Sequence, residues 1–122
     1  MPTIVVVDDD QQMRTWLRQI LEDKGYHVQE ARDGYEALAS VERSEPALMV
    51  VDICLPKFSG LDIIMHLRSR HQSVKVLAIS GQILNSYDIR QTAKAMGAHD
   101  TLAKPFGSED FLQRVDALLV HP

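Results

Sequence analysis

Short runs of β-branched residues alternate with amphipathic stretches along this chain, and that alternation constrains the fold more than any other feature. Ile4-Val5-Val6-Val7 is too short for a helix and reads as a buried strand. Met13, Trp16, Leu17, Ile20 and Leu21 then fall at i, i+3, i+4, i+7 and i+8, one face of a helix that Gly25 ends. Tyr26 to Glu30 reads as a strand, and Asp33 caps a helix through Ala37, Leu38 and Val41 that Pro46 breaks. Ala47 to Val51 is a second buried strand, ending at Asp52, and Leu61, Ile64, Met65 and Leu67 start a third helix. Val74 to Ile79 is the next strand, ending at Ser80-Gly81. A weaker helix runs from about Tyr87 to Met96, where Gly97 stops it. Thr101 to Ala103 is a short strand before Lys104-Pro105, and Phe111, Val115, Leu118 and Leu119 mark a last helix. The pattern predicts an α/β fold in which five strands alternate with five helices through right-handed crossovers, giving a parallel sheet covered on both faces.

Composition narrows the function. At 122 residues the chain reads as a single domain, 1–122, able to bury a core without disulfides or a structural metal. Seventeen acidic against thirteen basic residues leave a net charge of −4, the wrong sign for non-specific nucleic-acid binding. The single cysteine, Cys54, can form no internal disulfide, and Cys and His show no zinc-ligand spacing. No apolar run approaches the roughly 20 residues of a membrane span, and no signal segment precedes Ile4. The expectation is a cytoplasmic domain, monomeric or weakly dimeric.

In an open α/β sheet, ligands sit beyond the carboxyl ends of the strands. The residues there are Asp8-Asp9-Asp10, Asp52, Ser80-Gly81 and Lys104-Pro105. Clustered carboxylates raise one another's pKa unless a cation sits among them. A hard divalent ion such as Mg²⁺ suits carboxylates, a carbonyl, waters and a phosphate. Asp52 could then act as a nucleophile and form an aspartyl phosphate, with Lys104 and the metal offsetting charge on the phosphoryl oxygens and Ser80 donating a hydrogen bond. Each residue alone has a plainer role: an acid of the triplet, Asp10 above all, caps the first helix, Ser80 sits in a turn, and Lys104 is solvated. Capping does not account for three consecutive acids, and the joint placement at four strand ends favours the functional role.

These residues resemble the receiver domain of two-component response regulators. The resemblance rests on Val7-Asp8-Asp9, on Asp52-Ile53-Cys54-Leu55-Pro56 with Gly60 following, and on Ser80-Gly81, Gly97-Ala98 and Lys104-Pro105-Phe106. It implies a flavodoxin-like, CheY-like doubly wound sheet in order 2-1-3-4-5. It implies Asp52 as phosphoacceptor, with Asp8, Asp9, Asp52 and the Cys54 carbonyl around Mg²⁺. Ser80 would be the switch hydroxyl and Lys104 the phosphate partner. The donor would be a sensor histidine kinase or histidine phosphotransfer protein, and the chain would catalyse only its own phosphorylation and dephosphorylation. The resemblance gives the Cys54 carbonyl, not its thiol, a role. Thr101 stands where the family often has an aromatic switch residue, and the segment from Ser80 to Gly97 is slightly longer than in the chemotaxis receiver. Both departures bear on the output surface, whose partner the sequence does not name.

Two other functions compete. A phosphatase of the haloacid dehalogenase type would use Asp8 as nucleophile and Asp10 as acid/base, with Ser80 as its second motif. It leaves Asp52 and the following Leu55-Pro56 unexplained. The other is an interaction module on the same scaffold without phosphorylation, which the filled site positions oppose. A dinucleotide-binding domain fails because no G-x-G-x-x-G follows the first strand. Trp16 and the methionines fit helix faces and read as core, the five histidines show no mutual spacing for a metal, and His121 reads as inert.

Overall fold

Alternation within the first apolar run sets the layers of the molecule. The structure, a computed structural model, describes residues 2–55, 58–81, 83–84 and 87–120. In chain order the first half comprises β1 (Thr3–Val7), α1 (Gln11–Asp23), β2 (His27–Ala31), α2 (Gly34–Arg43), β3 (Leu48–Asp52) and α3 (Gly60–Arg70). The second half comprises β4 (Lys75–Ser80), β5 (Ile83–Leu84), β6 (Tyr87–Asp88), α4 (Ile89–Met96), β7 (Asp100–Ala103) and α5 (Ser108–Val120). Five strands pair in parallel in the order β2-β1-β3-β4-β7, the expected 2-1-3-4-5 order of the sheet. Successive side chains of a strand point to opposite faces. Ile4 and Val6 therefore pack with Leu17, Leu21, Phe111 and Val115 of α1 and α5. Val5 and Val7 pack with Val41, Ile63, Leu67 and Ala93 of α2, α3 and α4.

Helix ends follow the local sequence. Asp10 caps α1 by accepting from the Gln12 amide, and Asp33 caps α2 by accepting from the Glu36 amide. Ser59 and Asp62 form a capping box at α3. Gly25 and Gly97, after α1 and α4, have φ of 92° and 124°, a region that a Cβ disfavours.

Three expectations change. The helix expected from Tyr87 begins at Ile89, because Tyr87–Asp88 pairs antiparallel with Ile83–Leu84 in a separate two-stranded ribbon. The two runs lie two residues apart, the commonest hairpin spacing. Trp16 is 38% exposed rather than core: Leu17 and Leu21 take the buried face of α1, and the indole lies beside Phe106, ring centroids 5.6 Å apart. Met65 is 56% exposed because the buried stripe of α3 runs Gly60, Ile63, Ile64, Leu67, which turns residue 65 outward.

Candidate functional site

The parallel register fixes which residues meet at the carboxyl edge of the sheet. Val7 pairs with Val51, Asp52 with Ile79, and Ser80 with Ala103. Asp8, just past β1, Asp52 and Ser80, the last residues of β3 and β4, and Lys104, just past β7, therefore share one edge. Asp8, Asp52 and Ser80 are buried, at 2%, 6% and 3% exposure, while Asp9 is exposed. Carboxylate oxygens of Asp8, Asp9 and Asp52 lie within 4.8 Å of one another. Lys104 Nζ stands 3.3 Å from Asp52 Oδ2 and 3.5 Å from Asp8 Oδ2. The Cys54 amide donates to Asp52 Oδ1 at 2.9 Å and the Asp10 amide to Asp8 Oδ1 at 2.9 Å, so backbone donors orient both buried carboxylates. The Lys104 amide donates to the Ser80 carbonyl at 2.8 Å, holding the lysine beside β4. The Lys104–Pro105 peptide bond is cis.

The electrostatics are those of an undercompensated acidic cluster. Burial, with the charge of Asp52, holds the Asp8 carboxyl above its ordinary range, against the opposing pull of the Asp10 amide and Lys104. Burial also pulls the Lys104 ammonium down, yet the charges of Asp52 and Asp8 outweigh it and leave the lysine above its ordinary value. The Cys54 thiol is raised by burial and by Asp52, the opposite of what a reactive thiolate requires. One ammonium facing three carboxylates, with oxygen donors only, is compatible with a hard divalent cation among the acids.

Sequence reasoning missed one positioning residue. Arg14, on the first turns of α1, donates to the Asp8 carbonyl at 2.6 Å and pairs with Glu30 of β2 at 3.1 Å. An arginine on the polar face of an amphipathic helix carries no signal of this. Thr101, expected at the switch, is half-buried in β7; its carbonyl accepts from Arg114 at 2.9 Å, and it pairs with Ala78 of β4. Pro56 of the Asp52 motif, Gln82 and Asn85 of the loop before α4, and His121 lie outside the described residues. The histidines need a correction. His66 and His71, without helical spacing between them, converge with Glu42 because α2 and α3 pack side by side.

Residues 4–116 match the family described as the response regulator receiver domain. The chain belongs to that family. This receiver domain is 39% identical over 116 residues to response regulator MprA of Mycobacterium leprae, covering 95% of this chain and 50% of the relative. It thus spans about half the length of the curated relatives it matches. The receiver domain of NtrX from Brucella abortus superposes with a TM-score of 0.90 at 29% identity, covering 98% of this chain and 99% of that one. Vibrio cholerae chemotaxis protein CheY4 superposes with a TM-score of 0.87 at 29% identity, covering 98% and 99% of the two chains. The chain is a receiver domain of response regulators, and a phosphoacceptor role in two-component signalling fits it better than a small phosphatase working from Asp8. Among the described residues no helix is long and apolar enough to cross a membrane.

Proposed function

We propose that Asp52 is the phosphoacceptor and that residues 1–122 act as one receiver domain. The observation that carries this reading is a buried Asp52 carboxylate 3.3 Å from Lys104 and within 4.8 Å of the Asp8 and Asp9 oxygens. One Asp52 oxygen attacks the phosphorus of a phosphohistidine; the new O–P bond forms as the donor's N–P bond breaks, and the imidazole leaves. Lys104 offsets charge gathering on the phosphoryl oxygens, and the Cys54 amide keeps the carboxylate oriented. Ser80, ending β4 on the same edge, supplies the hydroxyl that meets the phosphoryl group. Asp8, Asp9, Asp52 and the Cys54 carbonyl would hold Mg²⁺, which when bound neutralises phosphoryl charge.

The donor in this reading is a sensor histidine kinase or a histidine phosphotransfer protein, and the setting is the cytoplasm. The chain acts on no separate substrate and catalyses only its own phosphorylation and dephosphorylation. Monomer or weak dimer is the proposed assembly, and nucleic-acid contact by these residues is not part of it, given the net charge of −4. Incubation with Mg²⁺ and acetyl phosphate should add one phosphoryl group to the wild type and none to Asp52→Asn. Undiminished incorporation in Asp52→Asn overturns the assignment.

A further inference from the structure

We propose that Glu42, His66 and His71 form a second metal site, for a divalent transition-metal ion of the Zn²⁺ type, independent of the phosphoacceptor edge. Glu42 lies at the end of α2, His66 in the later turns of α3, and His71 is the C-cap of α3. Both helices start beside the carboxyl ends of strands and run back along the sheet, so their C-terminal ends lie at the edge opposite Asp52. Two imidazoles and a carboxylate make a borderline donor set that suits Zn²⁺ and is poor for Mg²⁺.

The spacing fits. Zinc–ligand bonds of about 2.0–2.1 Å put tetrahedral donors roughly 3.3 Å apart. His71 Nε2 is 3.0 Å and His66 Nε2 is 3.6 Å from Glu42 Oε1, and all three donors lie within 4.8 Å of one another. Three protein donors leave a fourth position for water.

Hydrogen bonding points the same way. His71 Nδ1 is bonded to Glu45, whose other oxygen accepts from Ser73 Oγ at 2.9 Å. A carboxylate can only accept, so Nδ1 donates to Glu45 and, with no ion bound, Nε2 donates to Glu42 Oε1 at 3.0 Å; a bound cation would take the place of that Nε2 hydrogen while Glu45 holds the ring through Nδ1. That carboxylate–histidine pairing is the outer arrangement usual behind a metal-bound imidazole. Meanwhile His66 Nε2 is buried and has no hydrogen-bond partner among the described residues. A proton on His71 would satisfy one approach to Glu42 Oε1 and leave the other ring nitrogen unpaired. A cation between the three donors satisfies both.

The test is a zinc titration against a chromophoric chelator with Mg²⁺ in large excess, so that the acidic edge is occupied. The wild type should bind one Zn²⁺ and melt at a higher temperature with it. His66→Gln and His71→Gln should each weaken binding at least a hundredfold while melting normally in chelator. Glu45→Gln, an exposed change that removes no ligand, should weaken it by about ten- to a hundredfold. X-ray absorption on the zinc-loaded protein should show two imidazoles in the coordination shell. Zinc binding unchanged in the His66→Gln, His71→Gln double variant, a shell without imidazole, or no binding by the wild type overturns the site and leaves a cluster of histidine–carboxylate ion pairs. None of these outcomes touches the assignment of Asp52.

Discussion

Single residues at the acidic edge have little room to change. A Cβ on Gly60 would lie 2.5 Å from the Asp52 carbonyl oxygen and 2.6 Å from Ile53 Cα, both backbone atoms that cannot swing aside. Gly60→Ala should therefore cost about 1–3 kcal/mol in denaturant unfolding and slow phosphoryl incorporation by shifting the end of β3. Asp8→Asn removes one buried charge from the cluster yet keeps an acceptor for the Asp10 amide. In metal-free buffer it should melt higher than the wild type, and its melting temperature should respond less to Mg²⁺; an equal response in both proteins would count against Asp8 as a ligand. His99 gives a pH dependence. Burial, with Arg68 and Lys75 nearby, holds it below its ordinary value of 6.5, and its Nδ1 accepts from the Val76 amide at 3.0 Å. Above pH 6.5 its contribution to stability is complete. As pH falls below that, the unfolded chain takes up the proton first, and stability is lost until the folded ring also protonates. Melting temperatures followed from neutral to mildly acidic pH should fall more steeply for the wild type than for His99→Gln. At this scale the acids, Ser80 and Lys104 were legible because each stands at a strand end. Arg14 and the Glu42, His66, His71 group were not, because only tertiary packing brings their partners together.

At the scale of elements, Arg114 ties the start of β7 to α5. Arg114 of α5 donates to the Thr101 carbonyl at 2.9 Å and to Asp100 Oδ1 at 3.1 Å. Thr101 is small and β-branched, so turning inward it cannot fill the volume an aromatic ring would. Conformational change should instead fall on the segment between β4 and Gly97. With Mg²⁺ and beryllofluoride, a phosphoryl mimic, backbone amide shifts should be largest in residues 80–97 and smaller at Thr101 and the start of α5. Largest shifts on α1 would contradict this. Thr101→Tyr should alter partner binding and leave phosphoryl incorporation nearly unchanged. The five sheet strands were legible, each within a residue of its observed bounds, because their apolar runs are short and closed by Gly, Pro or a polar residue. The β5–β6 ribbon was not, since two-residue strands carry no periodicity to read.

The whole molecule is two cores on either side of one sheet. Phe111 is fully buried on the α1–α5 side, stacked on Phe106 with ring centroids 5.8 Å apart. Phe111→Ala should cost about 3–5 kcal/mol, a large share of the roughly 5–15 kcal/mol by which a domain is stable, and chemical denaturation would measure it. Fold class was legible because alternation of strand and helix admits few topologies. The strand order came from the likeness of the Asp8-Asp9, Asp52 and Lys104 motifs to receiver domains, since periodicity does not say which strands are neighbours. The central claim is that this scaffold exists to place one nucleophile, Asp52. It is tested most directly by locating the acyl phosphate itself. After phosphorylation with acetyl phosphate and Mg²⁺, borohydride reduction converts the phosphorylated aspartate to homoserine, and peptide mass mapping identifies the position. Homoserine at 52 alone is the expected result; homoserine at 8, 9 or 10 with residue 52 unmodified would contradict the assignment of Asp52.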